Sequence, residues 1–305
     1  MMPGFAPQPR TRVISGVRRA RTDRTDETPG PAYAPNVPNQ RLWVRASGRT
    51  GKSTPSSSRP SARASLPPRW VLLHGFTQSG RSWRATAEAL ETAVEVLLPD
   101  LPGHGRSSHV HADLVGTADL IAQQLGSAAY LGYSMGARAA LHLALQHPET
   151  VRALVIVGGT AGLESATDRA DRRDADEQLA QKLERQGVAG FLDDWLRGPL
   201  FANLVADSED LAGRRENTPE GLAMSLRLCG TGAQESLWHR LHEIAVPTLV
   251  VAGEADHKFT ALGKRIAEAI GGNAEFVTVA GAGHAAHLER PGEFNTLLER
   301  FRGSL

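Results

Sequence analysis

The pentapeptide Gly132-Tyr133-Ser134-Met135-Gly136 constrains this chain more than any other stretch. It is a G-x-S-x-G pattern set between a short apolar run, residues 128–131, and an Ala- and Leu-rich segment, residues 137–146. The first reads as a strand and the second as a helix. A sharp turn between them lifts the serine hydroxyl clear of the top of a sheet, and small flanking residues let the helix return close to the strand. Taken alone, the pattern also fits a plain strand-to-helix turn in a chain rich in Gly and Ala. Its weight comes from what surrounds it.

From Arg69 onward strands and helices alternate. Strands are expected at residues 70–73, 94–98, 128–131, 151–157, 246–252 and 274–279, and helices at 82–92, 113–125, 137–146, 262–270 and 294–301. Such alternation predicts an α/β fold, a mainly parallel sheet with helices on both faces. Between about residues 163 and 241 the alternation stops, and the chain becomes helical, charged and Arg-rich. That stretch is too long for a loop. It is expected to be an inserted helical cap over the C-terminal edge of the sheet, where α/β proteins place their ligands; the plainer reading is a surface excursion with solvated charges. The expected division is therefore a leader at 1–68, a core at 69–162 and 242–305, and a cap at 163–241.

The leader is rich in Arg, Pro, Ser and Thr, poor in acids and without apolar periodicity. It is expected to stay mostly disordered because it cannot bury enough surface to offset its ordering entropy. Residues 40–46 are the part able to form a short strand. The composition fits a transit peptide, an extension or a start placed too far upstream, and the lack of a hydrophobic segment argues against a secretory signal. Gly48-Arg49-Thr50-Gly51-Lys52-Ser53 resembles the end of a phosphate-binding loop, but Ala46 stands where the first glycine belongs and no buried strand precedes it.

With 41% apolar residues the 305-residue chain can build a full core, and a formal charge of +1 points to no nucleic acid. No apolar run is long enough for a membrane span. The single cysteine, Cys229, excludes an internal disulfide and fits a reducing, cytoplasmic setting. No His or Cys cluster has metal-ligand spacing, so neither metal nor cofactor is expected.

A serine hydroxyl needs a base to take its proton, and the base is a histidine held by a carboxylate. In this kind of fold the chain order is serine, acid, histidine. Asp256 follows the strand at 246–252, and His284 follows the last strand in Gly281-Ala282-Gly283-His284. Their competitors are Glu254 and His287. His74-Gly75-Phe76 closes the first core strand, so the amides of Phe76 and Met135 are the expected oxyanion hole. His74 and the loop from Asp100 to Ser107 are expected to serve structure rather than chemistry.

Together these pieces resemble the α/β-hydrolase superfamily over residues 70–301. A finer resemblance is to the 2-succinyl-6-hydroxy-2,4-cyclohexadiene-1-carboxylate synthase (MenH) family. It rests on Leu73-His-Gly-Phe-Thr-Gln-Ser79, Gly132-Tyr-Ser-Met-Gly-Ala-Arg138, Asp194-Trp-Leu-Arg-Gly-Pro-Leu-Phe201 and Gly253-Glu-Ala-Asp-His-Lys-Phe259. The resemblance implies a lyase that eliminates pyruvate from a cyclohexene polycarboxylate, with Ser134, His284 and Asp256 as a base. It further implies Arg138, Arg172 and Arg214 as carboxylate ligands, with Trp195 and Tyr133 lining the pocket. Arg173 and Arg215 leave the register of the two cap arginines open, and Ala137 and Leu196 depart from the family pattern. The alternatives are a carboxylester or thioester hydrolase, a cofactor-free perhydrolase, and a binding protein on the same fold.

Overall fold

Strands buried on both faces leave a period-two signature, and it is visible in the computed structural model, which describes residues 40–47, 68–205 and 207–305. The segments 1–39 and 48–67 lie outside the described residues, and with them most of the expected disorder and the phosphate-loop look-alike. The strands are β1 (Val44–Ser47), β2 (Arg69–Leu73), β3 (Glu95–Pro99), β4 (Ala128–Tyr133), β5 (Val151–Val157), β6 (Thr248–Gly253) and β7 (Ala274–Val279). The helices are α1 (Arg84–Leu90), α2 (Leu114–Leu125), α3 (Met135–Gln146), α4 (Ala166–Trp195), α5 (Ser208–Arg215), α6 (Pro219–Cys229), α7 (His257–Ile270), α8 (Ala286–Glu289) and α9 (Pro291–Gly303).

The sheet runs in the order β1-β3-β2-β4-β5-β6-β7. All neighbours are parallel except β1, which lies antiparallel to β3. Val71, Leu73, Tyr130, Leu154, Ile156 and Val250 pack with α2, α3 and α7. The residues between them, among them Leu72, Leu131, Val155 and Val251, pack instead with α1 and α9. Alternate side chains on each strand thus feed two separate cores, as a sheet covered on both sides requires.

Part of the expected leader belongs to this sheet. β1 sits at its edge, Leu42 is buried in the core, and the Trp43 amide donates to Ser107 Oγ at 2.8 Å. The boundary at residue 68 is therefore corrected: the folded unit takes in residues 40–47. The strand is short and polar on its outer side, so local periodicity gave little sign of it. The helix expected at 82–92 is instead a 3₁₀ turn, Gly80–Trp83, leading into α1. α7 starts five residues earlier than expected because Asp256 caps it, accepting from the Phe259 amide.

Between β5 and β6 the chain leaves the sheet and builds α4, α5 and α6. These have an apolar cluster of their own, with Leu183, Phe191, Leu222 and Leu226 at its centre and Phe76 and Trp195 against it. Arg227 on α6 ties Glu177 and Glu184 of α4 at 2.8 and 2.6 Å. α4 is two helical pieces joined at Gly187, whose φ of 71° breaks the helix. No helix among the described residues is long and apolar enough to cross a membrane.

Candidate active site

Ser134 ends β4 in a conformation few serines adopt, with φ 51° and ψ −105°. Its amide donates to Val157 O of the neighbouring strand at 2.9 Å, which fixes the turn. A Cβ on Gly136 would strike the Leu73 carbonyl, and one on Gly132 would strike the Gly136 carbonyl. Both glycines of the pentapeptide are thus required by close approach of helix to strand.

Three strand ends bring the expected triad together. His284 Nε2 lies 3.2 Å from Ser134 Oγ, and its Nδ1 lies 2.7 Å from Asp256 Oδ2. The other Asp256 oxygen accepts from Phe259 N at 3.2 Å, so the helix cap also orients the carboxylate. The Phe259 ring rests 4.4 Å from the imidazole, and Gly158, at φ 56°, leaves the room that His284 occupies. The competitors are engaged elsewhere. Glu254 accepts from the Gly281 amide at 3.0 Å. His287 is buried against Trp83, ring to ring at 4.2 Å, and burial holds its pKa well below the usual histidine value.

Phe76 and Met135 border the same cavity as Ser134, and neither amide donates to a group among the described residues. Met135 begins α3, where the first turn leaves its N–H without a helical acceptor. The turn carrying Phe76 is held by its neighbours. His74 donates from Nδ1 to Gly75 O and accepts from Leu101 N at 2.9 Å; burial lowers its pKa to about 4, so it stays a neutral strut. Asp100 accepts from the amides of Gly80 and Arg106, a role in the loop rather than in chemistry. Thr77 stands at φ 67°, an outlier for a β-branched residue.

A cavity of about 150 Å³ opens onto these groups, lined by Ser134, His284, Phe76 and Met135 together with Arg138, Arg172 and Trp195. Arg138 is buried, and burial pulls its pKa down to about 10. Among the described residues it donates only through Nη1, to Cys229 O at 2.6 Å and Gln234 Oε1 at 3.5 Å. No carboxylate pairs with it among the described residues. Arg172 gives its Nε to Asp176 at 2.8 Å and, among the described residues, keeps both Nη groups unbonded. Trp195 packs edge-on to Phe76 at 5.5 Å, closing the cavity from the insertion side.

Two expected pocket residues lie elsewhere. Tyr133 points into the opposite core, 4.5 Å from the His287 ring. Arg214 is 1% exposed, paired with Asp210 at 2.7 Å and donating to Thr77 Oγ1 at 2.5 Å; it does not line the cavity. Two residues not singled out from sequence do line it. Asp176 is a buried carboxylate beside Arg172, with one oxygen lacking any hydrogen-bond partner. Lys258 stands at the rim, two residues beyond Asp256, and its spacing from the acid was the available signal. Cys229 is inert: its thiol donates to Ala112 O, and burial pushes its pKa up to about 12. Among the described residues no group of three or more His, Cys, Asp or Glu could hold a metal ion.

The profile of the alpha/beta hydrolase family matches residues 70–297. The 2-succinyl-6-hydroxy-2,4-cyclohexadiene-1-carboxylate synthase of Salmonella agona (strain SL483) is 34% identical over 232 residues, covering 73% of this chain and 89% of that protein. A solved structure of MenH from S. aureus superposes with a TM-score of 0.76 at 29% identity, over 86% of this chain and 98% of that one. A thermophilic esterase from Thermogutta terrifontis superposes at 0.71 with 20% identity, over 86% and 93% of the two chains, a likeness of fold. The chain therefore belongs to the alpha/beta hydrolase family, and within it to the family of the 2-succinyl-6-hydroxy-2,4-cyclohexadiene-1-carboxylate synthases.

Proposed function

We propose that the protein eliminates pyruvate from 2-succinyl-5-enolpyruvyl-6-hydroxy-3-cyclohexene-1-carboxylate to give 2-succinyl-6-hydroxy-2,4-cyclohexadiene-1-carboxylate, a step of menaquinone biosynthesis. The observation that carries this reading is Arg138, a buried guanidinium lining the same cavity as Ser134 whose hydrogen bonds among the described residues go to neutral acceptors only. A simple ester needs no such cation, whereas a carboxylate does. The name of the Salmonella agona relative supports the same product.

In this mechanism Ser134 passes its proton to His284 and removes the proton from the ring carbon that bears the succinyl ketone. Asp256 steadies the imidazolium that results, through the 2.7 Å bond to Nδ1. Charge then develops on the ketone oxygen, where the amides of Phe76 and Met135 meet it as an enolate. The ring double bond shifts, the carbon–oxygen bond to the enolpyruvyl group breaks, and enolpyruvate leaves and takes up a proton to become pyruvate. Arg138 and Arg172 bind ring and succinyl carboxylates, and the helical insertion acts as a cap that closes over them. The cytoplasmic setting follows from this role.

A second reading, an ester or thioester hydrolase, draws on the same serine–histidine geometry at 3.2 Å. The test is to supply the cyclohexene precursor, generated in situ, and follow pyruvate release by wild type and Ser134→Ala. Rapid release that requires Ser134 establishes the lyase. Release at the spontaneous rate, with fast turnover of a p-nitrophenyl ester, establishes the hydrolase instead.

A further inference from the structure

Thr77 follows directly on the residue whose amide forms half of the oxyanion hole, and every polar group it has is bonded. Its amide donates to His104 Nε2 at 3.3 Å, its hydroxyl accepts from Arg214 Nη1 at 2.5 Å, and its carbonyl accepts from Asn217 Nδ2 at 2.8 Å. The last two partners come from the helical insertion. Asn217 is fixed in turn, accepting from the Gly105 amide at 2.7 Å and donating to Arg214 O at 2.8 Å.

We propose that Arg214 and Asn217 are positioning residues for the oxyanion hole: they hold Thr77 in its left-handed conformation and thereby aim the Phe76 N–H at the oxygen above Ser134. Among the described residues the Phe76 amide makes no bond of its own, so the residues on either side set its direction. On one side the Gly75 amide donates to Gln78 Oε1 at 2.9 Å. On the other stands Thr77 at φ 67°, a value a β-branched residue keeps only when its surroundings enforce it. Without those bonds Thr77 relaxes toward negative φ, and the peptide before it turns with it.

Arg214 is suited to this and unsuited to a ligand's carboxylate. It is buried away from the cavity, Asp210 already matches its charge, and its Nη1 bonds Thr77, which leaves Nη2 without a partner among the described residues. The insertion therefore contributes to the chemical step as well as covering it. This inference rests on the reading of Ser134, His284 and Asp256 as the catalytic groups, and holds for either substrate class.

The experiment compares Arg214→Gln and Asn217→Ala with wild type in pyruvate release, in p-nitrophenyl acetate hydrolysis and in binding of phenyl trifluoromethyl ketone. In that last reaction Ser134 Oγ bonds to the carbonyl carbon, the serine proton passes to His284, and the former carbonyl oxygen carries the negative charge into the hole. The expected result is a fall in kcat of about tenfold on both substrates with KM little changed, a fraction of the hundred- to thousandfold cost of losing an oxyanion donor outright. The ketone should bind about tenfold more weakly, while the matching trifluoroethanol, which forms no oxyanion, binds as before. A rise in KM for the polycarboxylate alone makes Arg214 a carboxylate ligand and overturns the proposal, as do variants indistinguishable from wild type. Wild type that neither releases pyruvate nor forms the ketone adduct refutes the catalytic site itself, and the proposal with it.

Discussion

Replacing Arg138 with Met keeps the length and apolar stem of the side chain and removes its charge. Nε and Nη2 of Arg138 are unbonded among the described residues, so one edge of the fork is open to a carboxylate. A hydrogen bond to a charged group is worth about 1.5–3 kcal/mol. Loss of that contact predicts kcat/KM for the polycarboxylate about ten- to a hundredfold lower, each factor of ten being about 1.4 kcal/mol. The substitution also strips Cys229 O of its donor, at a cost of about 1–3 kcal/mol, set against relief from burying a cation. Thermal unfolding should therefore move by only a few degrees, about 2–4 °C per kcal/mol for a protein of this size. The assay couples released pyruvate to NADH oxidation and runs beside hydrolysis of a neutral p-nitrophenyl ester on the same preparation. The first should fall and the second should hold. Equal losses on both substrates, or pyruvate release within about twofold of wild type, would falsify the role given to Arg138.

Asp256→Asn should lower kcat by about 10⁴, the cost of a wrongly set histidine tautomer, while Glu254→Gln, which removes the charge but keeps an acceptor for the Gly281 amide, stays near wild type; the reverse ranking would exchange their roles. Acid should begin to destabilise the fold below pH 6.5 through its buried histidines. Burial lowers His74, His104 and His142 to about 4, 3 and 4, and His287 further below 6.5, so the unfolded chain binds protons that the native chain refuses. Stability is then complete above pH 6.5 and is lost as pH falls toward 4, by at most about 1.4 kcal/mol per pH unit for each histidine; a melting temperature equal at pH 7 and pH 5 contradicts this. A chain beginning at residue 68 should be less stable than one beginning at residue 40 by about 2–3 kcal/mol, the burial of Leu42, because the second keeps β1; equal denaturant midpoints would remove β1 from the stable core. Arg172→Ala leaves the buried Asp176 carboxylate unpaired and should cost about 1–3 kcal/mol, discounted for the partial exposure of Arg172, whereas adding Asp176→Ala should restore most of it; additive losses would show that the pair is not coupled.

Much of this was legible because the site is made of local turns. The glycines around Ser134, the strand before Asp256 and the glycines before His284 each show in a few consecutive residues, and parallel topology delivers all three to one edge. Asp256 was set above Glu254 by its greater distance from the strand end, whereas its cap on α7 was not legible, because that helix was expected to begin only at residue 262. What local sequence lacked were pairings over long separations. Arg214 and Thr77 are 137 positions apart, and nothing near either announces their bond. A cap arginine read by similarity alone looked like a substrate ligand, yet Asp210, four residues before it, is its partner in the fold. Asp176 was hidden likewise: an acid on a charged helix reads as solvated until packing buries it. β1 was only half visible, because an edge strand needs just one buried face and this one is four residues long.

The bond from Arg214 to Thr77 bears on how such a protein can be re-engineered. Insertions between two strands invite exchange, since the sheet and its strand-end residues stay in place when one is replaced. Here a transplanted insertion would arrive without the two side chains that hold the neighbouring turn, and the recipient would fold with its hydroxyl nucleophile intact but its anion-binding amide misdirected. Grafts that carry Arg214, Asp210 and Asn217 with them, or that place glycine at position 77, are the ones expected to keep turnover while changing what the enzyme accepts.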